Sequence, residues 1–382
     1  MYISSQDELD DFITSSIGCK ILAIDTEFMR EKTYRPQLCL LQLATENDVA
    51  LIDPFEVMDL SGLSELFLDE GMMKIVHSGR QDVEILYFEV GVMPWPIFDT
   101  QIAAAVLGYS QQIGYGPLVH AECGVLLDKL DSFSEWGQRP LTQSQLNYAA
   151  NDVIYLPQVY RNLKHRLMER GRLGWLEGDF RELVNPKRYE PNPRERYKKL
   201  KKGNQLNRQQ MCAAREVAAW REERAIALDI PRKWVLGDEQ IVEACKRETR
   251  TIDQLFLIRG MREKLSTEDA RTVVKLIRTG LETPKSDWPD VPRKTKNERN
   301  VDNEVDLMMA LVRKRAKENN IAFQTLANHD SLQAIARGHY EDAQLLEGWR
   351  YDMIGHELID LLEGKIALSI VDRHLHVTRL EP

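Results

Sequence analysis

Two carboxylates stand at the end of an apolar segment near the N-terminus. The segment "ILAIDTEF", residues 21–28, begins with four apolar residues and continues into Asp25, Thr26 and Glu27. Four consecutive apolar residues predict a buried strand. Because side chains two apart on a strand share a face, Asp25 and Glu27 point to one side and Thr26 to the other. Two carboxylates this close repel each other unless a proton or a cation lies between them.

Further acids extend this pair. Asp82 lies in "IVHSGRQDVEIL", in the first turn of a helix predicted to follow a strand, and Tyr148 and Asp152 stand four apart in the predicted helix "LNYAANDVIYL". Residues four apart share one side of a helix. Carboxylate oxygens are the ligands that Mg²⁺ and Mn²⁺ prefer. Taken singly, each residue also fits an ordinary structural role, such as a helix-start carboxylate stabilised by the macrodipole.

The elements that must position these residues follow an α/β pattern. Residues 1 to about 180 alternate the strand-like segments "KILAIDTEF", "LCLLQLA", "VALIDP" and "KIVHSG" with amphipathic runs such as "RQDVEILYFEV" and "FDTQIAAAVLG". This alternation predicts an α/β domain with a largely buried sheet.

The rest of the chain is predicted to be mainly helical. The stretches "NPKRYEPNPRERYKKLKKGN" and "ETPKSDWPDVPRKTKNERN" are rich in proline and charge, which predicts extended, solvated connectors. The last residues, "LSIVDRHLHVTRL", suit a short hairpin. We expect an α/β domain over 1–185, a linker over 186–205, a helical domain over 206–283, a linker over 284–301 and a second helical domain over 302–382.

Charge is unevenly distributed along the chain. The net charge of −9 divides into −14 for residues 1–180, +10 for 181–300 and −5 for 301–382. A basic middle region can attract phosphates even when the whole chain is acidic. The cations of the first helical domain either form a phosphate-binding surface or pair with neighbouring acids: Arg215, Arg221, Arg224, Arg232, Lys233, Lys246, Arg247 and Arg250. We expect Trp220 and Trp234 to lie in the core of that domain.

The composition indicates where in the cell the protein is expected to be located and in which oligomeric state. No apolar run reaches the length of about 18 residues that a membrane span needs, and the acidic N-terminus lacks the pattern of a secretory signal. Five scattered cysteines predict free thiols in a reducing cytoplasm. Without a heptad seam or a leftover apolar stripe, the sequence favours a monomer.

The order of these motifs resembles the DEDD exonuclease superfamily, and the tyrosine four residues before the last acid resembles its DEDDy subclass. The match covers about 180 residues and includes all five key positions, and it implies a ribonuclease H-like mixed sheet flanked by helices. The segments "DTEFMREKTYRPQLCLLQLA", "WREERAIALDIPRKWVLGDEQIVEAC" and "GWRYDMIGHELIDLL" resemble the bacterial ribonuclease D family. The second of these is similar to the helical HRDC module that follows the nuclease in that family. The second helical block, 302–382, matches an HRDC module more weakly.

The resemblance implies a 3′-to-5′ exoribonuclease that uses two divalent ions, Mg²⁺ or Mn²⁺, to release nucleoside 5′-monophosphates. Asp25 would bridge both ions, and Glu27 and Asp152 would complete the site that activates water. Asp82 would support the second ion, and Tyr148 would orient the attacking water. A phenol of pKa about 10 is a poor base at neutral pH, so hydrogen bonding is the expected role of Tyr148.

The expected substrates are single-stranded 3′ ends of tRNA precursors and other small structured RNAs. Candidate substrate-binding residues are Phe28 and Met29 after the acid pair, His77, and the basic pair Arg232 and Lys233. Packing is the alternative role for Phe28 and His77. The acidic block 302–382 is expected to pack against the nuclease domain and to help form a ring or funnel around the strand.

Two other functions remain open at the level of sequence. Because the acids do not distinguish ribose from deoxyribose, a DNA 3′-to-5′ exonuclease of repair or proofreading is the first alternative. The second is a non-catalytic nucleic-acid binding protein on a nuclease fold. The complete set of four acids and a tyrosine argues against the second, because unpaired acids gain nothing from such proximity without a cation.

Overall fold

The computed structural model describes residues 1–127, 134–190, 192–289, 299–340 and 344–380. They form two compact units. The first unit contains the described parts of 1–27, 40–184 and 294–382, and the second contains those of 28–39 and 185–293. The domain boundaries predicted from the sequence stay predictions.

A six-stranded mixed sheet forms the core of the N-terminal region. Its strands are β1 (Tyr2–Ile3), β2 (Ile21–Met29), β3 (Gln37–Ala44), β4 (Val49–Ile52), β5 (Met73–Val76) and β6 (Ile97–Asp99). The spatial order is β1-β4-β3-β2-β5-β6. Strands β2 and β6 run parallel to β5, β1 runs parallel to β4, and β3 pairs with β4 antiparallel. The predicted mixed sheet is confirmed, and the two short strands β1 and β6 were missed.

Helices cover this sheet. They are α1 (Gln6–Ser16), α2 (Ser64–Leu68), α3 (Arg80–Val90), α4 (Thr100–Val106), α5 (Tyr115–Cys123), α6 (Gln143–Ile154), α7 (Leu156–Glu169) and α8 (Glu177–Leu183). Helix α6 packs against β4, and α7 packs against β5, α4 and α5. The predicted helix "FDTQIAAAVLG" was partly wrong, because its first residues complete β6 and only the alanine-rich part is helical.

The second unit is built from helices α9 (Arg208–Ala227), α10 (Arg232–Val235), α11 (Asp238–Lys246), α12 (Ile252–Phe256), α13 (Met261–Lys264) and α14 (Thr267–Leu281). Helices α9 and α14 pack so closely that a Cβ at Gly280 would lie 2.3 Å from the Cα of Ala213. Trp220 packs against this core as expected, but Trp234 was assigned to the core wrongly, because 54% of it is exposed.

The first proline-rich segment is not an extended, solvated connector, contrary to the sequence prediction. A 3-10 helix forms over Pro193–Lys199 and packs on α9, where Tyr197 and Leu200 are buried. Arg194 pairs with Glu216 at 2.6 Å, and these partners explain why a polar sequence folds here. Residues 290–298, half of the second predicted connector (284–301), lie outside the described residues.

The C-terminal block is helical and ends in a hairpin, as predicted. Its helices are α15 (Asp302–Asn319), α16 (Phe323–Leu326), α17 (His329–Ala336), α18 (Gly348–Arg350) and α19 (His356–Leu362), followed by the antiparallel strands β7 (Ile366–Val371) and β8 (His374–Arg379). No helix in the described parts of the chain is both long enough and apolar enough to cross a membrane.

The C-terminal block packs against the N-terminal α/β domain, which confirms the first part of the expectation for this block; the ring or funnel stays a prediction. The rings of Trp175 and Trp349 stack with centroids 4.5 Å apart. The amide of Ala322 donates to the carbonyl of Ala105 at 2.9 Å, and the Arg172 guanidinium reaches the carbonyl of Asn319 at 2.7 Å. Stacked rings and satisfied backbone groups indicate a fixed contact.

Candidate active site

Strand β2 carries the first two acids of the site. Its residues Ile21–Ile24 are fully buried, whereas Asp25 and Glu27 are only partly covered. Thr26 is buried on the opposite face of the strand, as the alternation of side chains predicts. The apolar half of the strand therefore anchors the sheet, while its end presents two carboxylates to one side.

Helix α6 carries Tyr148 and Asp152 to those carboxylates. Thr142 caps the helix, and its side chain and that of Gln145 form a capping box that fixes where α6 begins. The helix ends at Ile154, and Pro157 lies in the first turn of α7, where a proline is tolerated. Carboxylate oxygens of Asp25, Glu27 and Asp152 all lie within 4.8 Å of one another.

Asp82 is the fourth acid and lies beside this group of three. It is buried in the first turn of α3, where its carboxylate accepts a hydrogen bond of 2.5 Å from the Thr26 hydroxyl. The negative charge of Asp82 is close enough to raise the pKa values of Asp25 and Glu27. Thr26 lies on the face of β2 opposite to Asp25 and Glu27. It thus hydrogen-bonds to Asp82, the acid that follows β5.

Asp99 is a positioning residue that the sequence interpretation missed. Its buried carboxylate accepts the backbone N–H groups of Ser78 at 3.1 Å, Gly79 at 2.9 Å and Gln101 at 2.8 Å. Gly79 directly precedes α3, and a Cβ there would lie 2.4 Å from the Val76 side chain. Asp99 therefore fixes the turn from which Asp82 projects. An Asp between a strand and a helix, as in "FDT", is the signal that could have revealed it.

The four acids of the site have pKa values above their usual range. Burial, followed by the charges of its acidic neighbours, raises the pKa of Glu27 to about 8, and the same causes raise the pKa of Asp25 well above its usual range. Burial also raises the pKa of Asp152 to about 7 and that of Asp82 to about 6, although hydrogen bonds from Tyr148 and Thr26 oppose these shifts. The donor set therefore fits a divalent cation, which would replace protons among these oxygens.

Tyr148 lies against the cluster and is half-buried. Its hydroxyl donates a hydrogen bond to Asp152, and burial followed by the nearby carboxylates raises its pKa. The phenol therefore keeps its proton at neutral pH. The indole of Trp136 lies 6.1 Å from the Tyr148 ring between centroids, tilted by 42°. No spacing in the sequence indicated this neighbour.

The other predicted substrate residues have different surroundings. Both ring nitrogens of His77 are engaged, with the Thr100 hydroxyl at 2.9 Å and the Ile113 carbonyl at 3.0 Å, which favours the packing role. Phe28 is partly buried, and Met29, at the end of β2, is 38% exposed.

The basic candidates lie on α10 of the second unit. Arg232 pairs with Glu222 at 3.3 Å, and Lys233 is exposed. Acidic partners also hold four other cations proposed for a basic surface, which supports the pairing interpretation for them: Arg215, Arg221, Arg224 and Arg247. In the described residues, Asp25, Glu27 and Asp152 form the one group of three metal-ligand side chains within reach of each other.

Comparison with known families and proteins agrees with this geometry. The family model described as "3'-5' exonuclease" matches residues 1–168, and the one described as "HRDC domain" matches residues 210–277.

Two curated relatives cover nearly the whole chain. The ribonuclease D of Acidiphilium cryptum is 36% identical over 94% of this chain and 92% of its own length. That of Sphingobium indicum is also 36% identical, over 99% of this chain and 98% of its own. Among solved structures, Escherichia coli RNase D, described as an exoribonuclease involved in structured RNA processing, superposes with a TM-score of 0.83 at 26% identity, covering 95% of this chain and 98% of that one.

Proposed function

The chain belongs to the ribonuclease D family of 3′-to-5′ exoribonucleases, and from that premise we propose that it shortens the 3′ ends of tRNA precursors and other small structured RNAs. The observation that carries the proposal is the convergence of three carboxylates within 4.8 Å, next to a fourth acid and a tyrosine. Each turnover would hydrolyse the terminal phosphodiester and release a nucleoside 5′-monophosphate.

Asp25, Glu27 and Asp152 would hold divalent cations, with Asp82 supporting a second ion. Bound Mg²⁺ or Mn²⁺ supplies charge neutralisation at the phosphate and lowers the pKa of water. The chain itself contributes a rigid set of oxygens, because β2 is buried and α6 is capped at a fixed residue. The Thr26 hydroxyl orients Asp82 by donating a hydrogen bond to its carboxylate.

Tyr148 would orient the attacking water. Its hydroxyl retains its proton, since its pKa lies above the usual value. It therefore acts by donating or accepting a hydrogen bond while other groups carry the charge. The hydrogen bond from the Tyr148 hydroxyl to Asp152 supports this role.

The setting of the enzyme is part of the proposal. The five cysteines are free thiols, which supports a reducing, cytoplasmic location. An RNA 3′ end is the proposed partner, and a monomer is the proposed state. Phe28, Met29, Arg232 and Lys233 remain proposed substrate contacts.

The test uses a 3′-extended tRNA and a DNA strand of the same sequence, each labelled at its 5′ end. The intact chain is incubated with each strand plus Mg²⁺, Mn²⁺ or EDTA. We expect a cation-dependent ladder that shortens the RNA from its 3′ end. Asp25→Ala should abolish the ladder, whereas Glu65→Ala, which removes an exposed acid from α2, should leave it unchanged.

Three outcomes would contradict the proposal. Full activity in Asp25→Ala would remove the acids from the mechanism. Shortening of DNA alone would assign the protein to repair or proofreading. Equal activity in EDTA would exclude the proposed role of the cations.

A further inference from the structure

Asp53, the residue after β4, has a buried carboxylate that pairs with the guanidinium of Arg139. The side chain of Asp53 has no exposed surface. It accepts hydrogen bonds from the Tyr2 hydroxyl and from the amide of Phe55 at 3.0 Å. Arg139 completes its surroundings with a forked contact, Nε at 2.5 Å and Nη2 at 2.8 Å from the two carboxylate oxygens. A bidentate contact of this kind fixes the relative orientation of the guanidinium and the carboxylate as well as neutralising their charges.

Arg139 uses its remaining nitrogen to hold the backbone. Its Nη1 donates to the carbonyls of Trp136 and Gln138, both at 2.8 Å. The guanidinium also lies over the ring of Phe55, 4.6 Å from its centroid. One side chain therefore fastens the turn 136–139 to the end of β4, which is 86 residues earlier in the sequence.

That turn carries Trp136, which is only 5% exposed and lies beside the ring of Tyr148. Helix α6, which carries Tyr148, begins at Gln143, shortly after the fastened turn. The contacts thus form a continuous chain from Asp53 through Arg139 and Trp136 to Tyr148. The direction of a tyrosine hydroxyl depends on where its ring is held, because the ring has only two rotatable side-chain bonds.

We propose that Arg139 is a positioning residue for the exonuclease reaction, and that its forked contact with Asp53 holds Trp136 so that the Tyr148 hydroxyl meets the attacking water. The inference rests on the role proposed above for Tyr148. It assigns Arg139 no contact with substrate, so its loss should lower kcat and leave KM unchanged. A displacement of about 1 Å in a reacting geometry lowers rates by up to about 100-fold.

The experiment is a double-mutant cycle on the full chain, with single-nucleotide release from a 5′-labelled RNA as the readout. Arg139→Lys keeps the charge but loses the fork. We expect it to lower kcat about 10-fold, and Tyr148→Phe to lower kcat about 100-fold. The double variant should be no slower than Tyr148→Phe alone, because the position of the ring no longer matters once the hydroxyl is absent.

The chain offers a matched control in Arg166→Lys. Arg166 also makes an ion pair across the same domain, with Glu122, and a hydrogen bond of 3.2 Å with the Tyr109 hydroxyl. Arg166→Lys should change stability to a similar degree as Arg139→Lys. Any loss of kcat that it causes should be independent of Tyr148, so that the double variant with Tyr148→Phe shows the product of the two single losses. If Arg139→Lys does not fold, as judged by circular dichroism, Trp136→Leu tests the same chain of contacts and should show the same non-additivity.

The possible failures are distinguishable. Full activity of Tyr148→Phe would overturn the role proposed for the tyrosine. A slow Tyr148→Phe combined with independent, multiplying losses from Arg139→Lys would leave that role intact and overturn the positioning of Tyr148 by Arg139. A change in KM alone would also overturn it, since that would indicate a contribution to substrate binding.

Discussion

The ends of strands β2 and β4 hold carboxylates in opposite environments. At the end of β2, acids face one another, and burial together with their mutual repulsion raises the pKa of Glu27 to about 8. At the end of β4, burial acts in the same direction, but hydrogen bonds from Arg139 and Tyr2 outweigh it and lower the pKa of Asp53. The two sites lie in one domain and use the same functional group.

The surroundings of a carboxylate determine its role in the protein. Asp53 is satisfied within the fold, so it stabilises the structure and orients what is attached to it. The acids of β2 and α6 are not satisfied by protein cations in the described contacts, and they weaken the fold until protons or metal ions join them. A cluster that is unfavourable by itself is the one available for binding a cation.

In the absence of metal, we expect the free energy of unfolding to decrease strongly as pH rises. Glu27, Asp152 and Asp82 have pKa values of about 8, 7 and 6 in the folded protein, against ordinary values of 4.5, 3.8 and 3.8. The folded state therefore binds more protons than the unfolded state between about pH 4 and pH 8, and its stability falls as pH rises through that window. We expect a loss of about 2–4 kcal/mol between pH 5 and pH 8, measured by urea unfolding in EDTA.

Two controls accompany this measurement. Added Mn²⁺ should recover the loss, and the recovery should grow as pH rises, because deprotonated carboxylates bind the ion. Asp25→Asn should flatten the pH dependence by removing one of the crowded charges. Stability that stays constant or increases from pH 5 to pH 8 in EDTA would contradict the proposed difference between the crowded acids at the end of β2 and the paired Asp53.

The next effect concerns single substitutions at the two strand ends. Asp53→Asn leaves Arg139 without its carboxylate, so we expect a loss of about 1–3 kcal/mol in the free energy of unfolding at pH 7. Arg139 is about one-fifth exposed, which moderates the loss. Asp25→Asn should instead leave the metal-free stability unchanged or raised.

Equilibrium unfolding of both variants, without metal, decides this prediction. Asparagine has nearly the size of aspartate, so both substitutions change charge more than packing. Equal destabilisation by the two substitutions would mean that the acids of the cluster are stabilised by contacts other than those described.

The smallest effect is expected at Thr26, which links β2 to Asp82. Thr26→Val keeps the shape of the side chain but removes the hydroxyl that donates to Asp82. Burial already raises the pKa of Asp82 to about 6, and the Thr26 hydrogen bond opposes this rise. Its loss should therefore move the pKa higher and lower kcat/KM about 10-fold at pH 6.5, with a smaller loss at pH 8.5.

The pH profile of kcat/KM is the measurement for this prediction. Thr14→Val is the matched control, because Thr14 is an exposed threonine whose hydroxyl donates only to the Asp10 carbonyl in the described contacts. The same loss at both pH values would indicate displaced packing instead of a changed titration.

Elements with strong local signals could be predicted from the sequence alone. The bounds of α3 coincide with the predicted "RQDVEILYFEV", and β2, α6 and the terminal hairpin appear where their patterns indicated. The five key residues could be named because short-range periodicity places Asp25 with Glu27, and Tyr148 with Asp152, on common faces. The family resemblance added Asp82 to them.

The distant residues that support these five could not be identified without the folded structure. Thr26 and Asp82 are separated by 56 residues, and Asp53 and Arg139 by 86. The same applies to the segment around Tyr197, which is polar in composition yet buries two side chains against α9. Local periodicity indicates which face of a helix or strand is buried, but it does not indicate which other segments of the chain pack against that face. Hydrogen bonds and ion pairs between remote segments form only when the whole chain is packed, and they orient the acids that the sequence could already name.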